Sequence, residues 1–264
     1  AALLLLIAEH PTPPAPKTYP RPLPIQALAL RPGQNEDEDT ILVGGYHEIT
    51  EWSVKSGQLV KRRGSMPQRI TALRLAPDGR TLAVAGGEPG VWGSAVVVDL
   101  NDDKQRTEVA RAAELFFDAA WSNDGTRLAI AGGDRSVRLW DAKERRQLLD
   151  FEAHADWVRS VAWNSEGKLL VTASRDKTAR IHRAEDGHLL ANFTDEEAPQ
   201  LAALFTPTNE GFALSGGGKG RVTEWFADTA DKYIPKKPKK NDAKKTDKPK
   251  RELTPQEKIE AEYE

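Results

Sequence analysis

"RLAIAGGDRSVRLWDA", Arg127–Ala142, holds a glycine doublet, an aspartate, a basic residue, a β-branched run and a Trp-Asp pair. Either it is a glycine loop that cradles a phosphate, or it is one copy of a structural unit. A unit should recur, and it does. The pattern returns as "TILVGGYHEITEWSV" (Thr40–Val54), "TLAVAGGEPGVWGSAVVVDL" (Thr81–Leu100), "LLVTASRDKTARIHRA" (Leu169–Ala184) and "FALSGGGKGRVTEWFA" (Phe212–Ala227). Each copy follows an apolar run and a turn: "IQALALRPG", "ITALRLAPDG", "FFDAAWSND", "VRSVAWNSEG" and "LAALFTPTNEG". The Trp position falls at Trp52, Val98, Trp140, His182 and Trp225, with spacings of 46, 42, 42 and 43 residues. A period in the low forties, kept through five copies, specifies a repeat architecture.

Within each unit the runs are five or six residues long, rich in Val, Ile, Leu and Ala, and interrupted by glycine. That is too short and too β-branched for helices. Asp78-Gly79 and Asp124-Gly125 sit between two apolar runs and mark hairpin turns. A fourth strand closes the units as "GQLVKRR", "QRTEVAR", "RQLLDFE" and "HLLANFT". One such sheet cannot bury both faces alone, so units of this kind stack radially. The expectation is an all-β propeller of four-stranded antiparallel blades, five of them visible between residues 24 and 227.

These units resemble the WD-repeat β-propellers, from about Pro24 to Ala227. The resemblance is closest over Phe116–Glu152 and Ala153–Phe193, where "HADWVRSVAWNSEGKLLVTASRDKTARIH" fits almost position by position. It implies a buried network of a His before the first strand, a Ser or Thr in the second, an Asp in the following turn and a Trp in the third. Repeat four supplies His154, Thr172 and Asp176, with His182 at the Trp position. Repeat three supplies Asp134 and Trp140, with Ala131 at the hydroxyl position and no His before its first strand. Repeat two has Val98 for Trp and an enlarged turn, "GEPGVWG". "VGGYHEITEW" and "HADWVRSVAW" are also similar to propellers of multidomain bacterial proteins that carry a cytochrome module, although this chain has no haem motif.

The doublet then has a structural explanation. Glycine relieves crowding where strand approaches strand, and it supplies positive φ in the turn that follows. The phosphate loop G-x-x-x-x-G-K-[ST] fails at its nearest approach, "ALSGGGKGR", where Lys219 precedes Gly220 and position 213 is Ala.

Composition limits the remaining options. The 264 residues include no cysteine, which excludes disulfides, thiolate metal sites and a cysteine nucleophile. The net charge of −2 is unevenly spread: residues 1–231 carry −6, Lys232–Arg251 carry +8 and the last thirteen residues −4. An acidic body with a basic tail weighs against a nucleic-acid-binding fold. "AALLLLIA" is too short to span a bilayer, which takes about 20 residues. It reads either as the end of a signal or anchor segment, implying export or membrane attachment, or as an edge strand or disordered end of a cytoplasmic protein. Residues 1–23 form a proline-rich linker and 228–252 a basic segment expected to be disordered. Thr254, Pro255 and Glu257 begin a helix in 253–264, which with the absent initial Met suggests a piece of a larger protein.

No catalytic motif appears. The five histidines show no H-x-x-x-H or H-E-x-x-H spacing, and there is no G-x-S-x-G elbow. Asp134 and Asp176 share one place in successive repeats, as turn-fixing residues do. No metal, cofactor or small-molecule substrate is expected, and the chain reads as non-enzymatic. The WD-repeat resemblance also implies that the turn after the second strand and the loop before the first share one face. That face would gather Tyr46, His47, Glu48, Trp92, Arg135, Asp156, Trp157, Arg175 and Lys219, the types that dominate protein interfaces among them. Trp92 and Trp157 equally suit packing within their own turn or on a neighbouring blade. The function this implies is a scaffold that binds a peptide or protein loop, with Arg135 and Arg175 suited to an acidic partner. Nucleic acid is not expected, and a membrane only through the N-terminal segment. Two other readings stay open: an accessory propeller of a larger secreted redox or hydrolytic enzyme carrying a cytochrome, with its active site elsewhere, and a structural spacer.

Overall fold

The computed structural model describes residues 25–102, 104–194, 198–206, 211–216 and 222–226. Segments 1–23, 228–252 and 253–264, with Lys219, lie outside the described residues. Four antiparallel four-stranded sheets follow one another along the chain. Blade 1 is β1 (Ala27–Arg31), β2 (Thr40–Gly44), β3 (Ile49–Ser53) and β4 (Leu59–Arg63). Blade 2 is β5 (Arg69–Leu75), β6 (Thr81–Glu88), β7 (Trp92–Asp99) and β8 (Arg106–Ala112). Blade 3 is β9 (Phe116–Trp121), β10 (Arg127–Gly132), β11 (Ser136–Asp141) and β12 (Arg146–Glu152). Blade 4 is β13 (Val158–Trp163), β14 (Leu169–Ser174), β15 (Thr178–Arg183) and β16 (Leu189–Thr194). In the fifth unit β17 (Gln200–Phe205), β18 (Gly211–Gly216) and β19 (Val222–Phe226) are described. Innermost strands pack side by side in order, β1 on β5, β5 on β9, β9 on β13 and β13 on β17. This is the blade arrangement of a β-propeller.

The repeat phase read from sequence is the phase of the sheets. Trp52, Val98, Trp140, His182 and Trp225 each pair across the sheet with the second residue of the neighbouring strand, namely Ile41, Leu82, Leu128, Leu170 and Phe212. The hairpin glycines Gly79, Gly125 and Gly167 hold φ of 66°, 69° and 68°, the left-handed backbone that favours glycine.

The glycine doublets act in a narrower way than expected. A Cβ on Gly86 would run into the carbonyl oxygen of Arg69 on the adjacent strand, so close approach does require glycine there. In blade 3, however, the positive φ of the following turn falls on Arg135 (72°), and in blade 4 on Lys177 (70°). Asp134 and Asp176 accept the N–H two residues on, which places the left-handed residue between them.

Apolar side chains of adjacent blades pack face to face, and between blades 2 and 3 large side chains of one meet alanines of the other. Leu73, Leu82, Val84, Val96 and Val98 of blade 2 meet Ala27, Leu42 and Ile49 of blade 1. Leu128, Ile130 and Trp140 of blade 3 meet Ala72, Ala83, Ala85 and Ala95. Val161, Trp163 and Leu170 of blade 4 meet Ala129, Ala131, Val137 and Leu139. Burying one such large residue contributes about 1.5–3 kcal/mol. On blade 1 the equivalent positions are Leu28, Leu30, Ile41 and Trp52, and all are exposed, Leu28 by 57%.

Candidate functional site

In blade 4, His154 reaches from the loop before β13 to Thr172 on β14 and to Asp176 in the turn between β14 and β15. Its Nδ1 lies 3.0 Å from Oδ2 of Asp176 and its Nε2 2.7 Å from Oγ1 of Thr172. Burial holds the imidazole below its ordinary pKa, so it is neutral here. A neutral ring beside a carboxylate donates through Nδ1–H, which leaves Nε2 to accept from the Thr172 hydroxyl. Asp176 also accepts from the Ala155 N–H at 3.0 Å and the Thr178 hydroxyl at 2.6 Å. Burial opposes its ionisation, but His154, Thr178 and Ala155 outweigh that and keep its pKa below the carboxylate range.

His182 stands outside this network. Its ring centre is 6.3 Å from that of His154 and packs on Phe151 at 5.1 Å. Nδ1 lies 3.2 Å from the Gly187 carbonyl, while the buried Nε2 has no partner. Burial, opposed by the Gly187 bond, lowers its pKa to about 4. Blade 3 solves the missing His differently. Nη2 of Arg138 takes the carboxylate of Asp134 at 2.5 Å, its Nε faces Asp150 at 3.2 Å, and its guanidinium lies over Phe116. Trp140 packs on Leu128 with 5% exposure.

The loop face has its own organisation across blades 3 and 4. The guanidinium of Arg175 lies 4.4 Å over the Trp157 ring and bonds Asp156 at 2.9 Å. Trp157 packs on Phe117 at 5.2 Å, and Arg159 lies 4.4 Å over Phe117. Four flat groups therefore stand in a row, Arg159, Phe117, Trp157 and Arg175. Arg159 makes no ion pair among the described residues; burial and the Arg175 charge both lower its pKa.

The row contains two of the residues singled out from sequence, Trp157 and Arg175. Arg135 pairs instead with Glu152 at 3.4 Å, and the left-handed turn position it holds in blade 3 belongs to Lys177 in blade 4. Tyr46 accepts a hydrogen bond from Gln68 at 2.6 Å and meets His47 edge-on. Trp92 opens β7 opposite Glu88 and is half-buried. Phe117 and Arg159 escaped the sequence reading, although a signal existed: each is the second residue of an inner strand, one repeat apart. Among the described residues no three His, Asp or Glu side chains group as metal ligands.

Residues 115–141 and 145–183, which are most of blades 3 and 4, match the WD domain, G-beta repeat. No curated protein matches the chain.

Proposed function

From a chain that is a WD-repeat β-propeller, we propose a non-catalytic interaction platform that takes a peptide or protein loop on the face carrying Trp157 and Arg175. The observation behind this reading is the row of four flat groups. An aromatic pair flanked by guanidinium groups, partly open to solvent, offers both the apolar area and the charge that interface hot spots use. Arg159 lacks a carboxylate of its own, so an acidic side chain of the partner would supply one. Phe117 and Arg159 stand on β9 and β13, and Trp157 and Arg175 directly adjoin β13 and β14, which limits the ordering cost of binding.

The test is selection of peptides from a displayed library on the wild-type chain and on the Arg135→Glu/Arg175→Glu double variant. The expected result is acidic peptides that bind the wild type and lose at least about tenfold on the double variant. Melting curves of the two should stay within several degrees, because the ion pairs lost, Arg135–Glu152 and Arg175–Asp156, are half-exposed and worth about 0–1 kcal/mol each. Selected peptides that bind both proteins equally would move the site off this face.

A further inference from the structure

The seams that join blades 1 to 4 differ at the end opposite the proposed recognition face. In the seam of blades 3 and 4, Arg127 stretches across: its guanidinium lies 4.7 Å over the Trp163 ring and bonds the Gly167 carbonyl at 2.5 Å. In the seam of blades 1 and 2, Arg31 reaches Asn101 at 2.7 Å and Arg63 reaches the Leu100 carbonyl at 3.1 Å. Between blades 2 and 3 the matching positions are Thr81 for Arg127 and Ala76 for Arg31. Thr81 is tied back to Asp78 at 2.6 Å, and Arg80 turns onto Asp99 of its own blade. No arginine bridges that end of this seam among the described residues. A cleft of about 690 Å³ remains, within the usual range of ligand pockets.

The cleft has a definite chemistry. Val97, Trp121 and Trp140 give it apolar walls, and Trp121, the counterpart of Trp163, lacks the covering guanidinium. Lys104, Arg106, Lys143 and Arg145 line it along with Arg80. The cleft's carboxylates, Asp78, Asp99 and Asp124, are already engaged by Thr81, Arg80 and Ser122. Lys104, Lys143 and Arg145 make no ion pair among the described residues. Arg145 also holds a left-handed backbone, φ 51°, at the turn position where blades 1 and 4 carry Gly57 and Gly187. Three cations without a carboxylate partner among the described residues, lining an open cleft beside an uncovered indole, leave charge and ring surface available to a ligand.

We infer that the open seam between blades 2 and 3 is a binding cleft for a small aromatic anion, whose ring lies along Trp121 while Lys104, Lys143 and Arg145 take its phosphate or carboxylate. Rings stack on indole, and flanking cations reinforce them in a partly desolvated cleft. The site is at the far end of the blades from the recognition face and does not rest on it. Hydrogen bonds hold Asp99 and Asp124 near a pKa of about 2, from Arg80 and from Ser122 respectively, so both are ionised and accept from their partners throughout the neutral range.

The test is calorimetric titration of the full chain with AMP, 2-naphthoate and neutral adenosine, each to about 1 mM. Binding of AMP or of naphthoate, with adenosine at least about tenfold weaker, supports the cleft. If only AMP binds, the anion is a phosphate, and if only naphthoate, a carboxylate. Two variants locate it. Thr81→Arg installs the missing bridge and should abolish binding while the melting temperature holds or rises. Lys143→Glu/Arg145→Glu leaves the walls intact and should weaken binding at least about tenfold. Adenosine binding as well as AMP, variants that bind like wild type, or no binding by any probe would each overturn the proposal.

Discussion

Nη2 of Arg74 on blade 2 lies 2.6 Å from Oδ1 of Asp118 on blade 3, and Oδ2 of the same carboxylate accepts the N–H of Val161 on blade 4 at 3.2 Å. One buried carboxylate therefore ties three blades together near the innermost strands. Asp118→Ala leaves the Val161 N–H without its acceptor and Arg74 without its partner. Arg74 is nearly half exposed, so the cost falls at about 1–3 kcal/mol rather than at the value for a fully buried pair. Urea unfolding measures it. A loss below about 0.5 kcal/mol would show that the blades hold without this tie.

The sequence reading and the structure agree where chemistry is local and periodic. The Trp position, the Asp-Gly turns and the alternation of strands all reflect one sheet repeated, so Trp52 and Trp140 land in the same register. Contacts between blades are less legible. Arg138 replaces a missing His by reaching Asp134 four residues back, a choice that no spacing rule signals. The row through Phe117 and Arg159 depends on how two inner strands lie side by side, and the open seam depends on a threonine where a bridge stands elsewhere. Such features become visible only when equivalent positions of adjacent blades are compared in space.

Leu28 and Leu73 occupy one place in the repeat but not one environment. Leu73 is 1% exposed against blade 1, whereas Leu28 is 57% exposed. Leu73→Ala should cost about 2–5 kcal/mol through lost burial and the cavity left behind. Leu28→Ala should stay within about 0.5 kcal/mol. Chemical denaturation of the two variants decides it, and equal losses would mean that the outer face of blade 1 is covered in solution.

Asp176 and Asp186 offer a second matched pair. Asp176 accepts from His154, Ala155 and Thr178 in a buried network, while Asp186 caps an exposed turn through the His188 N–H. Asp176→Ala should destabilise by about 1–3 kcal/mol, since several donors lose their acceptor. Asp186→Ala should cost under about 0.5 kcal/mol. Differential scanning calorimetry reads both, and the idea fails if the two melting temperatures fall together.

His182 sets the direction of the pH response. Its pKa drops from 6.5 to about 4 in the folded chain, chiefly through burial. The unfolded chain therefore takes a proton near pH 6.5 that the folded chain refuses until near pH 4. Stability contributed by the neutral ring is intact above that window and is lost as pH falls through it, up to about 3 kcal/mol for the whole traverse. His154 moves the same way. The depressed pKa of Asp176 acts in a lower window, because its contribution disappears only as pH falls below the ordinary carboxylate value. His182→Phe keeps an aromatic ring against Phe151, removes the unpaired Nε2 and gives up the bond to Gly187, which is worth about 1 kcal/mol. At pH 7.5 the variant should therefore melt close to wild type. Between pH 6.5 and 4.5 it should lose less stability than wild type, with its profile flattened but not level because His154 remains. Melting curves across that range test the assignment, and parallel profiles for the two proteins would refute it.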